Sequence, residues 1–473
     1  MKSEIDSHTW LPEPELLFHP DRPRDRHPHP LVGLLTYGPY SKQLLPDPIR
    51  VATIVPDGDG AALFAFMKEL RAPVKATERA DYLPDYPGFE QVFRLRLEGA
   101  PAHCHLRLDA SLEKEFQGSP RPHIVLAEHL VRAIQRLEAS RHEFDVLFVY
   151  IPQRWSAGYV GSAEEDFDLH DHLKAMTARR GIPLQIVRED KALAYKDRAS
   201  VMWRIGLALY AKAGGVPWKL ADVDPEAAYI GISYALRPKA SDGPHFVTCC
   251  SQVFDSEGAG LEFVAYDARE AKVERGNPYL SRDEMFRVMT RSMDLYRRQH
   301  AGRSPRRVYV HKTTEFKRDE VDGAMEALHL CEAVDLIQVV EDVGWRAARI
   351  ERKAHASKGV PAGFPVARGS LVSLGARDAL LWVHGDAMKV GKRPSYFQGQ
   401  RSTPQPLRLV RFAGHGTWDD SARSVLALSK MNWNNDALYD QLPVTLGYAK
   451  VLARVVKRMP LLGTMPYQFR FFM

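Results

Sequence analysis

Six consecutive apolar residues, Val146 to Ile151 within DVLFVYIPQ (Asp145 to Gln153), place the tightest limit on how this chain folds. A strand with no polar face must be covered on both sides, as parallel strands enclosed by helices are. IRVATIVPDG (Ile49 to Gly58) and IPLQIV (Ile182 to Val187) read as companion strands. Helical patterns lie between them: one through Phe64, Met67 and Leu70, another from Arg121 to Glu138, and a mostly apolar one from Ala199 to Ala211. Alternating strands and helices predict a Rossmann-like α/β unit extending to about residue 222.

An acidic linker, ADVDPEA (Ala221 to Ala227), marks a change of pattern. AAYIGISYAL, HFVTCCSQVF and LEFVAYD follow as three successive strands. Ser281 to Glu284 is a capping box that opens a long helix. Its Met285, Met289, Met293 and Tyr296 share one face, expected in the core, and Arg287, Arg291 and Arg298 share another. RRVYVHKT and VDLIQVVED are further strands, and two helices close the chain. The expected organisation is α/β: an extension at 1–48, rich in Pro, His and Arg, packing on a domain or a partner; one domain at 49–222; a second at 223–473.

Sixty-five lysines and arginines against fifty-nine acidic residues leave a net charge of +6, which permits an acidic partner without requiring one. Cys104, Cys249, Cys250 and Cys331 lack metal-ligand spacing and are expected as free thiols. No charged-then-apolar leader and no run of membrane-spanning length is visible, so a cytoplasmic location is expected.

The most informative local stretch is YAKAGGVPWKL, Tyr210 to Leu220. Lys212 stands where the apolar helix stops, and Gly214 and Gly215 follow. One reading is a helix C-cap beside an unremarkable lysine. The other is a phosphate site, in which a lone cation flanks open glycine backbone. Gln185 is unusual within an apolar strand and favours the second reading.

With the acidic linker and the AAYIGIS strand behind it, this stretch resembles the junction of the MID and PIWI domains in prokaryotic Argonautes. LPEPELLFHP and GLLTYGPYS (Leu11 to Pro20, Gly33 to Ser41) resemble the opening of the short members of that family. LSKMNWNND and LPVTLGYAKVL (Leu428 to Asp436, Leu442 to Leu452) resemble its last two helices. The resemblance is collinear over nearly the whole chain. It implies a Rossmann-like MID domain followed by an RNase H-like PIWI domain, with no room for the additional domains of long Argonautes.

By that resemblance a guide 5′-phosphate is held by His170, Lys174, Gln185 and Lys212, where His170 departs from the usual tyrosine and His172 is its alternate. The chain ends apolar, YQFRFFM, and the Met473 carboxylate is implied to reach the phosphate through Mg²⁺. Cleaving members hold two metal ions with carboxylates. Ser233, Thr313 and Lys450 occupy the matching positions here, so the resemblance implies binding without cleavage. Lys430, Asn432 and Asn434, with neighbouring Asn435, and Lys450 and Arg454, with Lys457, are candidates for contact with a nucleic-acid backbone; a solvated face is the alternative for the helical stripe. Implied partners are a small 5′-phosphorylated guide RNA, complementary single-stranded DNA, and an APAZ-domain effector, a sirtuin-like NADase before a TIR one. Two rival readings stand beside this one. The first is a guide-directed nuclease with relocated carboxylates among Asp255, Glu257, Asp267 and Glu315. The second is an α/β nucleotide-binding protein, weakened by the lack of a Gly-rich phosphate loop.

Overall fold

The computed structural model describes residues 8–41, 45–109, 111–162, 165–237, 246–254, 260–268, 271–351, 359–388, 390, 395–397, 403–459 and 468–473. Its described helices are α1 (Pro30–Tyr37), α2 (Gly60–Arg71), α3 (Phe89–Phe93), α4 (Ser111–Gly118), α5 (Pro122–Leu137), α6 (Leu169–Ala178), α7 (Arg198–Lys212), α8 (Arg282–Gln299), α9 (Arg318–Ala327), α10 (Asp419–Leu428) and α11 (Val444–Val456).

The apolar run Val146–Ile151 is an inner strand, buried at all six positions. It pairs in parallel with Ile49–Pro56 on one side and Leu184–Arg188 on the other. Leu97–Gly99 and His105–Leu108 both pair in parallel with the free edge of Ile49–Pro56. Two separate apolar clusters cover the two faces of this sheet. One gathers Leu126, Leu130 and Ile134 of α5, and the other Trp203 and Leu207 of α7. The register of α2 corrects one expectation. Its buried stripe is Leu63, Phe66, Met67 and Leu70, whereas Phe64 is 70% exposed.

A second sheet has nine strands in the order His8–Trp10, Ser370–Ser373, Asp378–Leu381, Leu407–Ala413, Ala333–Val340, Arg307–Lys312, Ala227–Arg237, Phe246–Phe254 and Gly260–Ala268. Its three inner strands, 333–340, 307–312 and 227–237, run parallel. The Ser281 half of the capping box is present, its side chain accepting from the backbone N–H of Glu284, whose carboxylate lies 3.4 Å from Arg287, and Met285, Met289, Met293 and Tyr296 are buried as their spacing predicts. On another face α11 lies directly on the Ala227–Arg237 strand. A Cβ at Gly231 would come within 2.0 Å of the Thr445 carbonyl oxygen, so only glycine permits that approach.

The first described residues run from the edge of the nine-stranded sheet to the end of α7. His8–Trp10 forms the edge of the nine-stranded sheet. Leu16–Leu17 pairs with Lys219–Leu220, the strand that leaves α7. Cys104 is a buried free thiol. The side chains of Cys249 and Cys250 lie outside the described residues. No described helix is long and apolar enough to cross a membrane.

Candidate functional site

Asp168 starts α6 by accepting from the Asp171 backbone N–H at 2.9 Å, a side-chain N-cap. The helix then carries Lys174 inward, where it is only 4% exposed. Its ammonium group donates to the carbonyl oxygens of Phe472, at 3.0 Å, and Met473. The apolar end of the chain is thus lodged beside α6, with Phe472 and Met473 buried. Lys212 ends α7 with 2% exposure and donates to the side-chain oxygen of Gln185. Gly214, at φ +106°, terminates that helix. A Cβ there would lie 3.3 Å from the Arg470 guanidinium of the terminal segment.

Burial disfavours an ammonium charge, and it acts on both lysines. Lys174 is held down to about 7, with Arg454 adding repulsion and Asp171 opposing it. Lys212 is driven well below its ordinary value by burial and then by the Lys174 charge. Two buried amines whose charged forms disfavour one another thus lie near an amide oxygen and the chain terminus, and an anion bound there would favour the charged forms of both. The geometry therefore gives two bonded pairs, Lys174 with Met473 and Lys212 with Gln185, whose lysines feel each other's charge. His170 stays at the rim, its side chain 46% exposed and its ring nitrogen 3.2 Å from Asp171. His172 packs its ring against Phe167, with centroids 5.4 Å apart.

A groove of about 640 Å³ opens on the nine-stranded sheet. Ser233, Thr313 and Lys450, more than two hundred positions apart from first to last, all line it, together with Lys312, Arg454 and Lys457. None of its described lining residues is Asp or Glu. The α11 cations have carboxylate neighbours at its rim. Lys450 bonds Glu341 at 2.8 Å, Lys457 bonds Asp166, and Arg454 lies 3.8 Å from Asp171. Because Asp171 sits on α6 three residues before Lys174, Arg454 connects the groove to the lysine site. Sequence reading missed Asp171 and Glu341, since neither carries a local signal.

Two expectations need correction. Lys430 is buried, and its ammonium is committed to Glu13 at 2.6 Å and to the carbonyls of Pro14 and Pro28. It fastens the N-terminal segment and has no face to offer a nucleic acid. Asn432 is likewise used internally: its amide donates to Asp440 at 2.6 Å, and its oxygen accepts from the Asn434 backbone and the Tyr448 hydroxyl. Asn435 donates to the same Asp440, so both side chains brace a turn. Asn434 alone of the three is exposed. Of the relocated carboxylates, Asp255 and Glu257 lie outside the described residues, as does the Asp267 side chain. Glu315 pairs with Lys317 at 2.5 Å.

The fold is mixed α/β, with a parallel sheet followed by a larger central one. A scan against models of protein families matches none, and a search of curated proteins finds no match. Among solved structures, the fold is similar to Clostridium butyricum Argonaute bound to a guide DNA and a 19-mer target DNA, with a TM-score of 0.62 and 16% identity. That similarity covers 96% of this chain and 53% of the other, so this chain spans about half the length of that Argonaute.

Proposed function

We propose that the chain is a short, non-cleaving Argonaute-type protein that holds the 5′-phosphate of a small guide RNA and recognises complementary single-stranded DNA. In this reading residues 49–222 are the MID domain and 223–473 an RNase H-like PIWI domain. The observation that carries it is a pair of buried lysines that feel each other's charge, Lys174 bonded to the buried end of the chain and Lys212 to Gln185. A terminal phosphate brings nearly two negative charges, and charge-assisted bonds to two ammonium groups offset the cost of burying them. The likeness in fold to a guide- and target-bound Argonaute supports the same assignment.

The donor set suits Mg²⁺ in one respect. The buried Met473 end offers a carboxylate, and this ion binds through one or two carboxylates with phosphate oxygens completing its shell. When bound it would neutralise phosphate charge; Lys174 and Lys212 would orient the phosphate, and His170 would cover the site from its rim. Along the groove, Lys450, Arg454 and Lys457 would follow the guide–target backbone, and pairing would supply sequence recognition. Serine, threonine and lysine at 233, 313 and 450 cannot hold two metal ions, which supports binding without cleavage. The match would then be reported by an APAZ-domain effector, a sirtuin-like NADase in preference to a TIR one, that depletes NAD in defence against invading DNA.

The test is a binding titration of the purified chain, alone and with its natural partner, with RNA bearing a 5′-phosphate or a 5′-hydroxyl. Selection for the phosphate supports the reading. Specific guide-directed cuts in complementary DNA with Mg²⁺ or Mn²⁺ would favour the nuclease alternative.

A further inference from the structure

Just before the N-terminal ends of two strands of the parallel sheet, the fold gathers a second set of chemistry-bearing side chains. Cys104 ends the helical turn Ala102–Cys104 that leads into the His105–Leu108 strand. Glu143 ends the turn Glu138–Glu143 between α5 and the Val146–Ile151 strand. Far apart in sequence, the two turns meet. His103 Nε2 lies 2.9 Å from Glu143 Oε1. A His103 ring nitrogen, the Cys104 sulfur and a Glu143 oxygen all lie within 4.8 Å of one another. His142 brings a second imidazole, its Nε2 3.8 Å from the same Glu143 oxygen. The thiol forms a buried floor, and the imidazoles stand at an open mouth, with His103 58% and His142 79% exposed at the side chain.

We propose that His103, Cys104 and Glu143, completed by His142, form a structural site for Zn²⁺. Donors bound at about 2.0–2.3 Å around a tetrahedral ion stand roughly 3–4 Å apart; the His103–Glu143 and His142–Glu143 contacts, at 2.9 and 3.8 Å, already have that spacing, and the Cys104 sulfur, within 4.8 Å of His103 and Glu143, would close in on the ion. One sulfur, two imidazoles and one carboxylate suit a borderline-soft ion, whereas Mg²⁺ and Ca²⁺ select all-oxygen shells. As the Zn–S bond forms, the Cys104 thiol releases its proton to water and Glu143 exchanges its contact with His103 for one with the ion. The ion would clamp the turn before the edge strand to the connection behind α5. This site is remote in role from the lysine site and does not depend on the proposed nucleic-acid function. The ordinary alternative is an exposed His–Glu pair above a buried thiol, which contributes little.

The full chain titrated with Co²⁺ as a spectroscopic probe, and with Zn²⁺ in competition, tests this. Expected are one tightly bound equivalent, a thiolate-to-cobalt charge-transfer band, and displacement by Zn²⁺. Cys104→Ser should abolish the band, while exposed His103→Ala and Glu143→Gln should weaken binding by about tenfold or more. The exposed His103→Ala and half-buried Glu143→Gln variants carry the test if Cys104→Ser does not fold. Absence of the band, its persistence in Cys104→Ser, or unchanged affinity in both His103→Ala and Glu143→Gln would overturn the assignment.

Discussion

A buried lysine whose ammonium group meets no side-chain carboxylate calls for an explanation, and this fold has two: Lys212 donates to the Gln185 amide oxygen, and Lys174 to the last two residues of the chain. Methionine has similar length and no charge to desolvate, so a purely structural lysine at 212, where the partner is a neutral amide, is replaceable with a gain in stability. Lys212→Met is accordingly expected to keep or raise the melting temperature while weakening binding of 5′-phosphorylated RNA about tenfold or more. A lower melting temperature with unchanged affinity would mean that Lys212 serves the fold alone. His29 gives a separate pH signature. It caps α1, bonds the Tyr82 carbonyl at 2.9 Å and is held neutral by burial at a pKa of about 3, against 6.5 ordinarily. Between those values the unfolded chain binds the extra proton. Stability therefore rises with pH across that window and is lost as pH falls below about 6.5, by up to about 1.4 kcal/mol per pH unit. Denaturation of His29→Gln from pH 7 down to about 4 should show a shallower decline than wild type; parallel curves would contradict this. Lys212 and Gln185 were legible in the sequence because each interrupts an apolar pattern. Lys174 was legible only through family resemblance, since its spacing alone matches a surface lysine.

At the scale of elements, the inner strand Val146–Ile151 could be read directly, because continuous apolarity leaves few alternatives. Two- and three-residue strands such as Leu16–Leu17 and Leu97–Gly99 could not, since they owe their extended form to a neighbour rather than to a pattern of their own. Lys430 failed for a related reason: its partner Glu13 lies at the opposite end of the chain. Removing that buried cation leaves Glu13 short of a partner, and Lys430→Ala is expected to cost roughly 3 kcal/mol in urea denaturation. The salt dependence of RNA binding should stay as in wild type; a reduced slope would return Lys430 to the nucleic-acid surface. The α11 cations behave oppositely. Lys450→Ala and Lys457→Ala should each lower the salt slope of target-strand binding by about one, with little change in stability. Unaltered slopes would make the stripe a solvated face.

Across the whole molecule, α11 is the connecting member. It rests on the nine-stranded sheet at Gly231, lines the groove with Lys450, Arg454 and Lys457, and meets Asp171 of α6 through Arg454. No periodicity in the sequence indicates that the lysine site and the groove share this helix, because their union depends on how two sheets pack. Nor does it indicate that His8–Trp10 completes the far edge of the second sheet. In the proposed function Lys174 and Lys212 grip a phosphate at the end of a nucleic acid. Competition between two otherwise identical RNAs, one with a 5′-phosphate and one with a 5′-hydroxyl, measures this most directly, in wild type and in a Lys174→Met, Lys212→Met double variant. Expected is a preference of about tenfold or more for the phosphate in wild type, falling to parity in the variant. Equal affinity of the wild-type protein for both RNAs would contradict it.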